Sequence, residues 1–268
     1  MKRRSLSTLG IFLLAASVVS FIIFYVIVMV SNQGYSYVDV NTMELTQLRE
    51  IEEGAPIAVI DTTLGEIRCV LYPEYAPKTV AQFTRLAENG YYDNTYVFEA
   101  KNDVYFAAGA GDADGSLPDG ATEEQERLPQ ELHQNLWPLR GALCALNTTE
   151  EGGYFARVFK SQKKYTGSRF MILGSVDFSD EEFVQQFRDA SGSEELADAF
   201  IERGGVPNFS QQVTVFGQVY EGMEVSDAIC AAALAQENAA GYTPPAEEIR
   251  ILSVTIGSYG EEETETQE

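Results

Sequence analysis

The feature that most constrains this chain is one uncharged apolar run near its start, from Ile11 to Val30. A helix of that length spans roughly 30 Å, which is the hydrocarbon thickness of a bilayer. Three basic residues, Lys2, Arg3 and Arg4, precede the run. The pattern predicts a cytoplasmic basic segment over 1–10 and a transmembrane helix over 11–30. The rest of the chain is then expected outside the cytoplasm, because basic flanks stay inside.

A cleaved signal peptide is the alternative interpretation of this segment. The apolar run is longer than the roughly 7–15 residues of a typical signal-peptide core, and no A-x-A-like cleavage site follows it. We therefore favour an uncleaved single-pass anchor that holds the protein at the cell membrane, in a manner typical of a bacterial cell-surface protein.

The charge balance narrows the range of partners. The chain has a formal net charge of −23, and three of its 18 basic residues precede the apolar run. The remaining part is therefore more acidic still. A surface of this sign repels nucleic acid and anionic lipid headgroups, so neither is expected as a partner.

Cysteine and histidine usage excludes several kinds of site. The three cysteines, Cys69, Cys144 and Cys230, are far apart and have no metal-ligand spacing. His133 is the only histidine, which removes the usual Ser-His and Cys-His catalytic arrangements and any multi-histidine metal site. We expect no metal and no organic cofactor.

The pattern of apolar residues divides the rest of the chain. Residues 31–56 are predicted to be a juxtamembrane linker that includes a spacer helix over Thr42–Glu53. A β-hairpin begins at Ile57, and helices are predicted over Lys78–Asn89 and Glu224–Ala235. The acidic tail, 259–268, has nothing to bury and is predicted to be disordered. Many short strands with two helices indicate an all-β fold, a closed antiparallel barrel capped by helices.

Four blocks of sequence carry a resemblance to a known family. In chain order they read TTLGEIRCVLYPEYAPKTVAQFTRLAENGYYDNT, LPQELHQNLWPLRGALCALN, TGSRFMI and VTVFGQVYEGMEVSDAI. Their order resembles that of the cyclophilin-type peptidyl-prolyl cis-trans isomerases and covers about residues 57–257. The resemblance implies a cyclophilin-like domain over 57–258, built as an eight-stranded antiparallel β-barrel with a helix at each mouth.

Two insertions separate the chain from a minimal cyclophilin. The first, about 149–165, contains basic residues and is either a solvated loop or a docking patch. The second, about 177–205, has helical periodicity and is expected to pack on the barrel or to form a wall beside the groove.

The resemblance also implies where the site lies. The position of the family's key arginine falls on Ala100, and strand alternation is expected to turn the neighbouring Lys101 away from the groove unless a β-bulge intervenes. Arg169 stands where the family has a glutamine, and we hypothesise that it reaches across the groove as a substitute donor. The remaining residues expected to bind substrate are Phe98, Tyr105, Phe106, Leu146, Asn147, Met171, Phe209 and Val213.

Two functions are consistent with this pattern. The first is a membrane-tethered isomerase that acts on X–Pro bonds of exported proteins, with activity reduced by the loss of the arginine. The second is a catalytically degenerate peptide-binding or chaperone module that keeps only the apolar groove. Proline-containing segments of exported proteins are the expected partners in both cases.

Overall fold

The computed structural model describes residues 38–40, 42–122, 127–149 and 164–261. Within these ranges nine strands form one antiparallel sheet. The strands are β1 (Pro56–Thr62), β2 (Gly65–Leu71), β3 (Thr95–Lys101), β4 (Tyr105–Ala110), β5 (Leu128–Pro129), β6 (Ala142–Thr149), β7 (Lys164–Leu173), β8 (Thr214–Glu221) and β9 (Arg250–Ser258). Eight of them close a barrel in the order β4-β3-β9-β1-β2-β8-β6-β7, because β4 also pairs with β7. The predicted eight-stranded antiparallel barrel is confirmed.

The barrel interior is filled by alternate residues of its strands. In β1, Ala58 and Ile60 point inward, and in β2, Ile67 and Cys69 do the same, all with no solvent exposure. Successive side chains of a strand point to opposite faces, so the alternating hairpin sequence from residue 57 yields one buried face.

Two helices supply further side chains to the barrel core. The first, α1 (Pro77–Glu88), contributes Phe83 and Leu86, and the last, α4 (Met223–Cys230), contributes Ile229. The position predicted for α1 is confirmed, whereas α4 ends five residues before the predicted end at Ala235.

The second insertion is helical, as predicted, and consists of α2 (Glu181–Ser191) and α3 (Glu194–Arg203). The side chain of Asp180 accepts hydrogen bonds from two backbone N–H groups of α2, and Ser193 caps α3 in the same way. Such caps satisfy N–H groups that have no partner inside the helix. The described residues therefore contain four α-helices, two more than the two capping helices of the predicted barrel.

The predicted spacer helix over Thr42–Glu53 is wrong. The structure has only a short 3₁₀ turn there, Thr46–Leu48, and the segment packs against the domain. Met43 and Leu45 are buried with side chains of α3 and of the chain near Trp137 in a second apolar cluster. Burial of every second residue requires extended backbone, which explains why a helix does not form.

One glutamine fixes this N-terminal segment to the barrel. Gln47 donates from Nε2 to the Trp137 carbonyl at 2.9 Å and accepts from the Trp137 N–H at 2.6 Å. Its Nε2 also lies 2.8 Å from Oε1 of Gln218 on β8. The domain therefore begins before residue 57, and the second insertion packs beside this segment.

The structure describes only some of the remaining segments whose boundaries were predicted. The tail boundary is misplaced, because the backbone of Tyr259 exchanges hydrogen bonds with Gly54 and Ala55. The predicted anchor, most of the first insertion and residues 262–268 lie outside the described ranges. Among the helices that the structure describes, none has the length and apolar character needed to cross a bilayer.

The N-terminus of α1 is capped from a distant part of the chain. Its N-cap residue, Ala76, has no side chain that can accept a hydrogen bond. Instead, Glu131 accepts from the backbone N–H groups of Lys78 and Thr79 at 3.2 and 2.8 Å, and from the Thr79 hydroxyl at 2.9 Å. A carboxylate at this end is also favoured by the helix dipole.

We expect Glu131→Ala to lower the free energy of unfolding by about 1–2 kcal/mol, because it removes the only side-chain cap described for α1. Urea denaturation of the purified chain measures this loss. The matched control is Glu88→Ala at the other end of the same helix, which removes an exposed carboxylate and should not destabilise the protein. Equal losses in both variants would contradict the capping role.

Candidate active site

Six of the eight predicted substrate-binding residues lie together on the outer face of the barrel. They form one apolar cluster with neighbouring residues of β4, β6 and β7 and of the loop before β8, and we call this surface the groove face. The six are Phe98, Tyr105, Leu146, Met171, Phe209 and Val213. The rings of Tyr105 and Phe209 lie 6.0 Å apart between centroids, so the loop before β8 contacts the strands directly.

Asn147 holds the loop that forms one wall of the groove face. Its Nδ2 donates to the carbonyl of Gln212 at 2.7 Å. Its Oδ1 accepts from Nε2 of Gln130 at 2.9 Å, and the same Nε2 donates to the Gln212 carbonyl at 2.7 Å. The side-chain amide of Asn147 therefore positions the loop that carries Phe209 and Val213.

The prediction for Phe106 is wrong. Its side chain has 0 % exposure and belongs to the barrel core, together with Ala108. Strand alternation explains this placement, since Tyr105 and Ala107 of β4 point outward and the residues between and after them point inward.

A β-bulge in β3 changes which side chains reach the groove face. Val97 pairs with Ala108 and Glu99 pairs with Ala107, so Phe98 is an extra residue without a partner across the ladder. Two residues of one strand opposite one residue of its neighbour is the definition of a bulge. Both Phe98 and Glu99 consequently face outward.

Beyond the bulge the alternation of β3 is reversed. Ala100 points into the barrel core with 0 % exposure, so this position does not line the groove. Lys101 pairs with the outward-facing Tyr105, and its Nζ lies 5.7 Å from the centroid of that ring. The structure therefore has the bulge that was the alternative to regular alternation, and Lys101 lies on the same side as Tyr105.

Glu99 is the acidic group of the groove face and was not identified from the sequence. It is 7 % exposed, is hydrogen-bonded to Tyr105, and has Oε1 3.9 Å from Nζ of Lys101. Burial raises the pKa of the Glu99 carboxyl above its usual range, while Lys101 and the Tyr105 hydrogen bond oppose that change. The pKa of Tyr105 is raised by burial and then by the neighbouring Glu99.

Arg169 extends from β7 across β4 to β3. The residue is 8 % exposed, its Nη1 donates to the carbonyl of Gly115 at 2.6 Å, and its guanidinium carbon lies 5.7 Å from the centroid of the Phe98 ring. Stacking on an aromatic face and a hydrogen bond to a backbone carbonyl both suit the planar guanidinium. The guanidinium thus reaches β3.

Tyr242, on the long segment after α4, covers one end of the groove face. Its ring meets the Phe98 ring edge-on, with 4.9 Å between centroids. A Cβ at Gly115 would lie 2.5 Å from the Tyr242 ring, so glycine is needed for this close approach. No motif marks Tyr242, and sequence reasoning missed it.

The described residues contain no group of three or more His, Cys, Asp or Glu side chains that could hold a metal ion. The cysteines are buried and unpaired. Burial raises the pKa of Cys230 to about 12, with the charge of Asp227 adding to the effect, so this thiol is not a nucleophile at neutral pH.

A family model described as "Cyclophilin type peptidyl-prolyl cis-trans isomerase/CLD" matches residues 57–256. The chain belongs to the cyclophilin family. A Staphylococcus aureus protein that carries the name of a peptidyl-prolyl cis-trans isomerase is 31 % identical over 178 residues, which cover 65 % of this chain and 80 % of that protein. A Staphylococcus epidermidis protein of the same name is 29 % identical over 174 residues, with the same coverage.

Solved structures confirm the fold of this cyclophilin. The crystal structure of a Cryptosporidium parvum cyclophilin type peptidyl-prolyl cis-trans isomerase, determined in the presence of the dipeptide Ala-Pro, matches with a TM-score of 0.50 at 17 % identity. The match covers 75 % of this chain and 99 % of that one. Family membership places the chain among peptidyl-prolyl cis-trans isomerases and supports the predicted enzyme class.

We expect Glu99→Gln to become progressively more stable than the parent protein as the pH rises. A carboxyl whose pKa is raised on folding binds more protons in the folded state, so its contribution to stability falls as the pH rises through and above the usual glutamate range. Urea denaturation at a series of pH values from about 4 to 8 measures the difference between the two proteins. A difference that stays constant with pH would contradict a raised pKa at Glu99.

Proposed function

We propose that this cyclophilin is a membrane-tethered foldase that speeds the cis/trans exchange of X–Pro bonds in exported proteins, with a rate below that of a family member with the arginine in place. The observation that supports this proposal is the groove face itself, where an apolar surface is kept while its polar groups have changed. Proline isomerisation is slow enough to limit refolding, so a catalyst near translocated chains has a clear use.

The chemistry of isomerisation sets what a groove must supply. No covalent bond is made or broken, and the barrier of about 18–20 kcal/mol comes from lost amide resonance. An apolar slot can bind the proline ring, and Met171, Phe209 and Val213 offer such a surface. A hydrogen-bond donor directed at the twisted amide lowers the barrier further, by roughly 3–4 kcal/mol for one well-placed donor.

The donors at this groove are few and restrained. Arg169 carries the guanidinium nearest to Phe98, yet part of its hydrogen-bonding capacity is used by the Gly115 carbonyl. Glu99 places a carboxylate at the outward position of β3, and its charge opposes the binding of an electron-rich amide oxygen. This arrangement supports slow turnover with Arg169 as the donor.

The competing candidate is a peptide-binding module without turnover. It is favoured by the same carboxylate at Glu99 and by the inward orientation of Ala100. In this case proline segments would still bind the apolar surface, and binding alone would hold an exported chain during assembly. Function resides in the site and not in the fold, so turnover must be measured.

We expect the full chain to accelerate cis/trans exchange of an Ala-Pro peptide at catalytic concentrations, and Arg169→Ala to reduce kcat/KM by at least roughly tenfold. Exchange NMR measures both quantities without a coupled protease. The control is Arg188→Ala, which removes a guanidinium on α2 that pairs with Asp198 and lies on the insertion. Peptide-induced shifts without faster exchange would favour the binding module, and equal effects of both variants would exclude Arg169 as the donor.

We also expect removal of residues 1–30 to move the protein from the membrane fraction to the soluble fraction of expressing cells, because the apolar run is the proposed anchor. Fractionation followed by immunoblotting measures the change. A full chain that is already soluble, or a shortened chain that stays with the membrane, would contradict the tether without affecting the isomerase proposal.

A further inference from the structure

A cavity lies on a different part of the barrel wall from the groove face. It has a volume of about 340 Å³, within the range of roughly 300–1,000 Å³ that is usual for small-molecule sites. The outward side of β2 and β8 forms its floor, and the N-terminal segment around Leu48 covers it. Residues 139 and 140 and the end of α3 complete the walls. We call this cavity the arginine cleft.

The charge of the cleft is opposite to that of the whole protein. Three of its lining residues are arginines, Arg49, Arg140 and Arg203, and none is acidic. The chain as a whole has 41 acidic residues against 18 basic ones. A cavity lined by one sign of charge with apolar walls concentrates counter-ions, so the cleft attracts anions in a protein that otherwise repels them.

The three arginines differ in how far they are already neutralised. Arg49 pairs with Glu44 at 2.7 Å, and Arg140 pairs with Asp227. Arg203, the last residue of α3, forms no ion pair with any residue in the part of the chain that the structure describes. Arg203 is therefore the cation of the cleft that is available to an external anion.

The two side-chain amides of the cleft are committed to the fold. Nε2 of Gln47 bonds to Gln218, and Nε2 of Gln218 bonds to the Arg140 carbonyl at 2.8 Å. The remaining lining is largely apolar and aromatic, and includes Tyr72 and Leu139. A ligand that fits this lining has an anionic end and an apolar or aromatic body.

We propose that the arginine cleft binds a small organic oxyanion, a carboxylate or a phosphate monoester, with its charge on Arg203 and its apolar part against the barrel wall. Guanidinium groups bind both kinds of anion through paired N–H donors. Because one wall is the N-terminal segment, a bound ligand also fastens that segment to the barrel, and it should raise the melting temperature.

Calorimetric titration of the full chain with phenyl phosphate, and separately with benzoate, tests the proposal. At least one probe should bind in the millimolar range or tighter. It should also bind more tightly than inorganic phosphate, which has no apolar body, and than benzyl alcohol, which has no anionic group. The probe that binds distinguishes the phosphate from the carboxylate. Binding of neither probe would overturn the proposal.

Two variants locate the site. Arg203→Gln should weaken binding by about tenfold or more, whereas Arg85→Gln, which removes an exposed arginine from α1, should leave it within about twofold. Leu48→Trp, which fills the cleft from the N-terminal segment, should also abolish binding and provides a second test that leaves every arginine intact. Unchanged binding in Arg203→Gln, or an equal loss in Arg85→Gln, would overturn the assignment.

Discussion

The extra residue in β3 determines the chemistry of the groove. With Phe98 bulged out, the strand presents Phe98, Glu99 and Lys101 to the outer face and turns Ala100 into the core. A shift of one residue in a strand exchanges its two faces, so a single bulge can replace a whole set of site residues without a change of fold. The outward-facing side chains of β3 are thus determined by backbone register as well as by residue type.

Side chains from other parts of the chain pack against the bulged residue of β3. Arg169 stacks on the Phe98 ring, and Tyr242 covers the same ring. Gly115 has no side chain, which leaves room for Tyr242 to approach Phe98. Elsewhere, α3 of the second insertion and the N-terminal segment form a separate apolar cluster around Trp137. Of these additions, only the N-terminal segment lies outside residues 57–256, the range that the family model matches.

Sequence reasoning predicted the barrel because alternation and motif order report on buried faces, which dominate folding. It also brought most of the groove residues together, since Met171 lies in a regular strand and Val213 lies directly before another. It misplaced Phe106 by one position in the alternation of β4. It left Lys101 open between regular alternation and a bulge, because a bulge leaves no mark in one sequence. It assigned a helix to Thr42–Glu53 because the local composition favours a helix. In the structure, tertiary contacts bury alternate residues of this segment instead.

In β3, position 99 and not position 100 faces the groove. Measuring kcat/KM for an Ala-Pro peptide with Glu99→Arg and Ala100→Arg tests it most directly. We expect Glu99→Arg to raise kcat/KM by at least roughly tenfold, because it exchanges a carboxylate for a guanidinium at the groove. Ala100→Arg should destabilise the fold by placing a charge in the barrel core. A folded, active Ala100→Arg beside an unimproved Glu99→Arg would contradict the account.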